Sequence, residues 1–206
     1  MALIASSPLL AVVALFVAAT SKGPVLFRQK RVGRNGRLFE LKKFRTMREA
    51  QGLQVTAKDD ARVTVIGKIL RKTKLDELPE LWNVLAGEMS LVGPRPEVEK
   101  YVDLQNPTWK SVLNVRPGIT DPVTLQLRNE EELLASVNTD REKFYLEVLQ
   151  PLKLEGYLDY LKQRSWRSDL QVLYHTAIAV VLPSTTPIPP VNQLTALASK
   201  SPWLNR

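Results

Sequence analysis

Apolar and polar positions divide this chain into segments of different period. Residues 1 to 19, MALIASSPLLAVVALFVAA, carry no charge and are apolar except at Ser6, Ser7 and Pro8. A helix that spans a bilayer needs about 20 apolar residues, a length this segment barely reaches. A secretory leader would start with a basic region, and none is present. Proline inside a helix removes a hydrogen bond and bends the chain, and neighbouring serines can satisfy the freed carbonyls. A single spanning helix and a re-entrant or interfacial hairpin broken at Ser7-Pro8 both stay open here. The bend in so short a segment favours the second, dipping into one leaflet.

Residues 24 to 47 read as a β-hairpin. PVLFRQKRVG and RLFELKKFRTM flank Arg34-Asn35-Gly36, and Asn-Gly is a strong hairpin turn signal. Alternation puts Phe39, Leu41, Lys43 and Arg45 on one face. Residues 49 to 62 are polar and predict a mobile loop. Residues 63 to 72 predict a helix with Thr64 as N-cap. Leu75, Leu78, Leu81, Trp82 and Leu85 keep helical spacing, Pro79 is tolerated only near a helix start, and Gly87 is a stop. This sets Asp76 and Glu77 just before or inside the first turn. Residues 97 to 113 read as helical with an interruption near Asn106-Pro107, and 130 to 163 as one or two helices. Residues 164 to 182 form an apolar helix flanked by Arg164, Trp166 and Arg167, which suits a membrane interface or a core equally. Residues 183 to 206 hold five prolines and predict an irregular tail.

Composition narrows the chemistry. A chain of 206 residues is one domain, with or without appendages. It contains no cysteine, and His175 is its only histidine. Disulfides, thiolate zinc and histidine-rich metal sites are excluded, which leaves hard oxygen-ligated cations such as Mg²⁺. The net charge is +8. Residues 28 to 48 hold Arg28, Lys30, Arg31, Arg34, Arg37, Lys42, Lys43, Arg45 and Arg48 against one acid, Glu40. Such a patch serves nucleic acid, anionic lipid or polyphosphate. Its place directly after an apolar segment favours the membrane surface, on the cytoplasmic side. A nucleic-acid module would interleave stacking aromatics; Phe27, Phe39 and Phe44 fit strand packing better.

Candidate chemistry concentrates between Lys74 and Pro96, KLDELPELWNVLAGEMSLVGPRP. Carboxylates at a helix N-terminus tend to stay ionised, and the same end attracts phosphate. Gly93-Pro94-Arg95-Pro96 makes a rigid turn that fixes one guanidinium, which suits phosphate recognition. Taken singly, an Asp-Glu pair is ordinary capping and Pro-Arg-Pro an ordinary turn.

Taken together, the segment resembles the bacterial sugar transferase family, the monotopic phosphoglycosyl transferases. Their pattern is similar to L-D-E-L-P-x-L-x-N-V-L-x-G-x-M-S-x-V-G-P-R-P, and every fixed position is present. Residues 21 to 33 resemble the entry to that family's catalytic domain, Lys43-Phe-Arg-Thr-Met47 its K-F-[RK]-T-M strand, and Arg116-Pro-Gly-Ile-Thr120 its R-P-G-[IL]-T turn. The resemblance covers roughly residues 6 to 182. It implies Asp76 as nucleophile and Glu77 as Mg²⁺ ligand. Lys43, Arg71 and Arg95 would face phosphate, with Pro94 and Pro96 holding the last. Tyr145-Leu-Glu147 resembles a segment carrying a further acid, which makes Glu147 a possible metal-side carboxylate. It also implies a membrane helix broken at Ser7-Pro8, although only seven residues precede Pro8, so anchoring weaker than that of a full hairpin is expected.

The implied activity is transfer of a sugar 1-phosphate from a UDP-sugar to polyprenol phosphate (undecaprenyl phosphate) at the bacterial inner membrane. The catalytic domain would face the cytoplasm and need Mg²⁺. The rival readings are a catalytically silent membrane scaffold, which would have lost the dyad or Arg95, and a basic nucleic-acid-binding module. The expected fold is α/β or α+β, one small sheet among helices, several lying on the bilayer. The expected boundaries are 1–21 for the membrane segment, 22–182 for the catalytic domain and 183–206 for the tail.

Overall fold

The computed structural model describes residues 2–48, 60–138, 140–181 and 191–198. The chain packs as two compact units. Of the described residues, 2–48, 61–102 and 113–119 build the first, and 60, 103–112, 120–138, 140–181 and 191–198 the second.

The first unit opens with helix α1, Ala2–Thr20, and Pro8 lies inside it. The expected break at Ser7-Pro8 therefore does not divide the segment into two legs. The apolar residues beyond the proline supply a packing face that keeps the helix going: Val13 and Val17 are buried against Phe44 and Leu70. Among the described residues no helix is long and apolar enough to cross a membrane.

The hairpin forms as the sequence predicts. Strand β1, Leu26–Val32, pairs antiparallel with β2, Leu38–Phe44, in the register Leu26↔Phe44 to Val32↔Leu38. Asn35 takes a left-handed φ of 57° at the turn, a conformation asparagine tolerates. Alternation along β2 feeds two cores. Phe39 and Leu41 pack with Met89, Val84 and Ile119, while Phe44 faces α1 on the other side.

Helix α2, Val65–Thr73, starts at Thr64, whose hydroxyl accepts the Gly67 N–H at 3.0 Å. A Cβ on Gly67 would meet the Thr46 carbonyl oxygen at 2.1 Å, so only glycine lets α2 cross the end of the hairpin this closely. The loop expected over 49–62 lies outside the described residues up to residue 59. Its two ends are clipped together by the Met47↔Val63 bridge and by Arg48 N–H to Arg62 O at 2.8 Å.

Asp76 and Glu77 belong to a separate 3-10 turn, Leu75–Glu77, not to the first turn of the helix that follows. Proline has no N–H to continue the α pattern. The i→i+3 bonds Glu77 N to Lys74 O and Leu78 N to Leu75 O carry the chain to Pro79, which caps α3, Glu80–Leu85. Gly87, with φ of 76°, ends it as predicted.

A second two-stranded sheet, absent from the sequence reading, joins β3, Ser90–Val92, to β4, Gly118–Thr120. Its strands are three residues long and far apart in sequence, so neither carries a pattern. The fold is α+β.

The second unit is helical: α4 Pro107–Val112, α5 Pro122–Gln126, α6 Glu130–Ala135, α7 Arg141–Phe144, α8 Gln150–Gln163, α9 Trp166–Val181 and α10 Val191–Ala198. A π-helical turn, Tyr145–Leu149, joins α7 to α8. Lys153 is buried, paired with Glu130 Oε2 at 2.7 Å and lying over the Tyr145 ring. Trp166, Leu170, Tyr174 and Ile178 recur every fourth residue on the exposed face of α9, and His175 is exposed beside them. The tail expected to be irregular contains α10. Val191, Leu194 and Leu197 keep helical spacing there, and Leu194 is buried; the flanking 182–190 and 199–206 lie outside the described residues.

Candidate active site

Four elements of the first unit converge on the dyad. Lys43 comes from β2, Asp76 and Glu77 from the 3-10 turn, Glu80 from α3 and Arg95 from the turn after β3. The turn carrying the dyad begins at Lys74, which adopts φ 58° and ψ 16° at the C-terminus of α2. A lysine in the left-handed region costs about 1 kcal/mol or more. The strain is placed two residues before the first of the two carboxylates.

Glu77 is clamped by two cations on one oxygen. Arg95 Nη2 donates to Glu77 Oε1 at 2.5 Å, and Lys43 Nζ donates to the same atom at 3.0 Å. Lys43 Nζ also lies 3.1 Å from Glu80 Oε1. Asp76 is buried beside them, and its Oδ1 has no hydrogen-bond partner.

The two acids of the dyad are tuned in opposite directions. Burial pushes Asp76 above the ordinary aspartate range, the adjacent Glu77 charge adds to this, and Lys43, Lys74 and Arg71 offset it only in part. Burial alone would raise Glu77 too, but Arg95, Lys43 and Lys74 outweigh it and hold Glu77 well below the usual glutamate range. Opposed environments of this kind mark groups with different tasks. Glu80 is raised, by burial first and with Glu77 adding, against the pull of Lys43.

The Arg95 turn is held from both sides. Pro94 O accepts the Gly118 N–H at 3.0 Å, and Pro96 O accepts Arg31 Nη1 at 3.1 Å. Val32 N–H donates to Glu97 O at 2.9 Å, tying the turn to the hairpin. A Cβ on Gly118 would come within 2.1 Å of the Gly93 nitrogen. The glycines of the G-P-R-P and R-P-G-I-T segments are thus needed for one close backbone crossing.

The structure brings Lys43, Asp76, Glu77 and Arg95 together. Arg71 sits in the last turn of α2, where its charge acts on Asp76. Glu147 belongs to the second unit, exposed on its π-helical turn, 3.9 Å from Lys143 Nζ one helical turn away. Among the described residues no three acids or histidines cluster as a metal cage. The oxygens on offer to a cation are the unpartnered Asp76 Oδ1 and the Glu77 carboxylate, which fits Mg²⁺: that ion is commonly held by one or two carboxylates plus substrate phosphates and water.

Three residues escaped the sequence reading. Lys74 lacks any signal beyond its charge. Glu80 stands at a variable position of the motif, yet it lies four residues after Asp76 and three after Glu77, the spacing that shares a helix side. Asn83 is fully buried and ties α3 to β2: its Nδ2 donates to Glu40 O at 2.8 Å and to Glu88 Oε2 at 2.7 Å, and its Oδ1 accepts the Lys42 N–H at 3.2 Å.

Comparison with known proteins places this arrangement. The chain is 38% identical over 187 residues to a UDP-glucose:undecaprenyl-phosphate glucose-1-phosphate transferase of Klebsiella pneumoniae, covering 84% of this chain and 36% of that protein. It is 37% identical over 174 residues to the galactosyl transferase CpsE of Streptococcus agalactiae, covering 78% of this chain and 35% of that one. It is 34% identical over 200 residues to the exopolysaccharide production protein ExoY of Sinorhizobium fredii, covering 88% of this chain and 81% of that one. The chain thus spans about a third of the first two relatives and most of the third. The bacterial sugar transferase family model matches residues 1–183, and the chain belongs to that family.

Proposed function

We propose that this protein transfers a sugar 1-phosphate from a UDP-sugar to undecaprenyl phosphate, through a covalent intermediate on Asp76. The observation that carries this reading is the asymmetric dyad: a buried carboxylate with a free oxygen, beside a second carboxylate clamped by Arg95 and Lys43. In the first step an Asp76 oxygen attacks the sugar-bearing phosphorus. The bond from that phosphorus to the bridging oxygen breaks, and UMP leaves with the electron pair. In the second step an oxygen of the polyprenol phosphate attacks the same phosphorus, Asp76 leaves as a free carboxylate, and polyprenol diphosphate sugar is the product.

Each residue has a task. Asp76, raised by burial, is a stronger nucleophile once ionised. Arg95 is fixed by Pro94 and Pro96 and, with Lys43 and Arg71, meets the donor's phosphate charge. Glu77, ionised throughout the working pH range, would hold Mg²⁺ together with the donor diphosphate. The metal would neutralise charge on the leaving nucleotide.

A lipid acceptor requires a bilayer surface, and the first unit has an apolar exterior that supports one. Leu9, Val12, Leu15 and Phe16 of α1, Val65 and Ile69 of α2, and Trp82 and Leu85 of α3 are all exposed. Lys68 and Lys72 share the exposed stripe of α2 with Val65 and Ile69, a mixture that suits anionic headgroups. The bilayer face is assigned to the cytoplasmic leaflet of the inner membrane, with α1 lying in one leaflet.

The test is a screen for UMP release by membrane fractions across a panel of UDP-sugars, with and without undecaprenyl phosphate. Donor alone is expected to leave a sugar-phosphate adduct on the peptide containing Asp76. Turnover without any adduct, and with intersecting initial-rate lines, would replace the covalent route by direct transfer.

A further inference from the structure

Glu80 is the most deeply buried acid of the site, with a side chain 1% exposed, and the reaction as written does not use it. Its Oε1 has no hydrogen-bond partner, and the charge it meets there is the Lys43 ammonium at 3.1 Å. Removing a carboxylate from water costs several kcal/mol unless an opposite charge compensates. The compensation here is shared, because the same ammonium lies 3.0 Å from Glu77 Oε1. Glu77 Oε1 in turn carries Arg95 at 2.5 Å.

One oxygen cannot serve two cations and a divalent metal together. When Glu77 turns to a metal ion, a lysine still seated on its Oε1 is repelled. The ammonium needs another anion within reach, or it leaves the site. Glu80 supplies one, three residues further along the chain. Its distance from Lys43 is set by rigid parts: Asn83 fastens α3 to β2 through Glu40 O and Lys42 N–H, and β2 carries Lys43.

We propose that Glu80 is a positioning residue whose buried carboxylate, which already shares the Lys43 ammonium with Glu77, becomes its sole seat when Glu77 binds metal. This rests on the assignment of Glu77 as metal ligand. Glu80 keeps the lysine beside the donor phosphates while freeing Glu77 Oε1. Without Glu80, Lys43 settles wholly on Glu77 and competes with the metal.

The experiment measures Mn²⁺ binding to the full-length protein by electron paramagnetic resonance, in wild type, Glu80→Gln, Lys43→Met and the double variant, with thermal midpoints alongside. Glu80→Gln is expected to weaken Mn²⁺ binding about tenfold, the factor that corresponds to 1.4 kcal/mol of charge-pair coupling. Lys43→Met is expected to tighten it. In the Lys43→Met background, Glu80→Gln is expected to change little, since Glu80 acts through Lys43. A simple loss of negative charge near the metal would weaken binding equally in both backgrounds and overturn the proposal. So would unchanged binding in Glu80→Gln, or a wild-type protein that binds no Mn²⁺. Should Glu80→Gln fail to fold, Lys43→Met alone decides: unaltered or weaker Mn²⁺ binding overturns the proposal. UMP release, measured separately, judges the transferase reading without bearing on these binding constants.

Discussion

At the scale of single residues, the site works by setting two adjacent carboxylates apart. Asp76 is left short of partners and Glu77 has more than it needs. A buried, underpaired acid is a stability cost that function retains. Asp76→Asn is therefore expected to abolish UMP release, since an amide cannot form the acyl phosphate. The same change should raise stability by about 0.5–2 kcal/mol, the usual gain when an active-site cost is relieved. Calorimetry of the purified variant checks the second half. The sign of its pH dependence follows from the shifts. Asp76 holds its proton more tightly folded than unfolded, so that stabilisation is present at low pH and lost as pH rises through its raised value. Glu77 does the reverse: its contribution is present above its unfolded value and lost as pH falls toward its depressed one. The stability advantage of Asp76→Asn should thus widen as pH rises through the Asp76 transition. The acid limb of kcat/KM for the donor should lie above the ordinary aspartate value of 3.8. A limb at that value would mean that Asp76 titrates as a solvated acid.

At the scale of elements, α3 is turned inside out. It buries Glu80 and Asn83, at 1% and 0% exposure, and presents Trp82 and Leu85 at 56% and 66%. Asn83→Ala is expected to cost about 1–3 kcal/mol, because it strands the Glu40 carbonyl and the Lys42 N–H. Gly118→Ala should be worse, since its Cβ cannot fit against Gly93, and it should displace the Arg95 turn. Thermal melts paired with UMP-release assays check both; an active, stable Gly118→Ala protein would show that the crossing can relax. These cases also show how far the sequence could be read. The hairpin and α2 were legible because their signals are local: Asn35-Gly36 at the turn, Thr64 at the cap. Asp76, Glu77, Lys43 and Arg95 were legible from an extended motif. Glu80 was not, because pattern reasoning places apolar residues inside and α3 reverses the rule. The β3–β4 sheet depends on a long-range crossing that no short window contains. The apolar spacing of α10 spans only eight residues between prolines, too short a period to outweigh the helix-breaking composition around it.

At the scale of the molecule, the apolar exterior of the first unit and the basic residues of α2 predict peripheral attachment with an electrostatic component. Purified protein is expected to sediment with vesicles containing anionic lipid and to bind neutral vesicles more weakly, with the difference shrinking as salt rises. Equal binding to both, at any salt, would assign the attachment to apolar burial alone.

The reversed face of α3 has a consequence for engineering. On α3, Trp82 and Leu85 face outward while Glu80 and Asn83 face inward, and Val65 and Ile69 of α2 are exposed as well, so the outward positions can be altered separately. Replacing Val65, Ile69, Trp82 and Leu85 by polar residues should give a protein that needs less detergent and keeps Lys43, Asp76, Glu77, Glu80 and Arg95 as they are. Such a protein should load itself with sugar phosphate and release one equivalent of UMP in a rapid burst, then stall, having lost its route to the lipid. Stopped-flow measurement of that burst would isolate the first half-reaction in water. Continued turnover with undecaprenyl phosphate would show that the acceptor reaches the site from elsewhere.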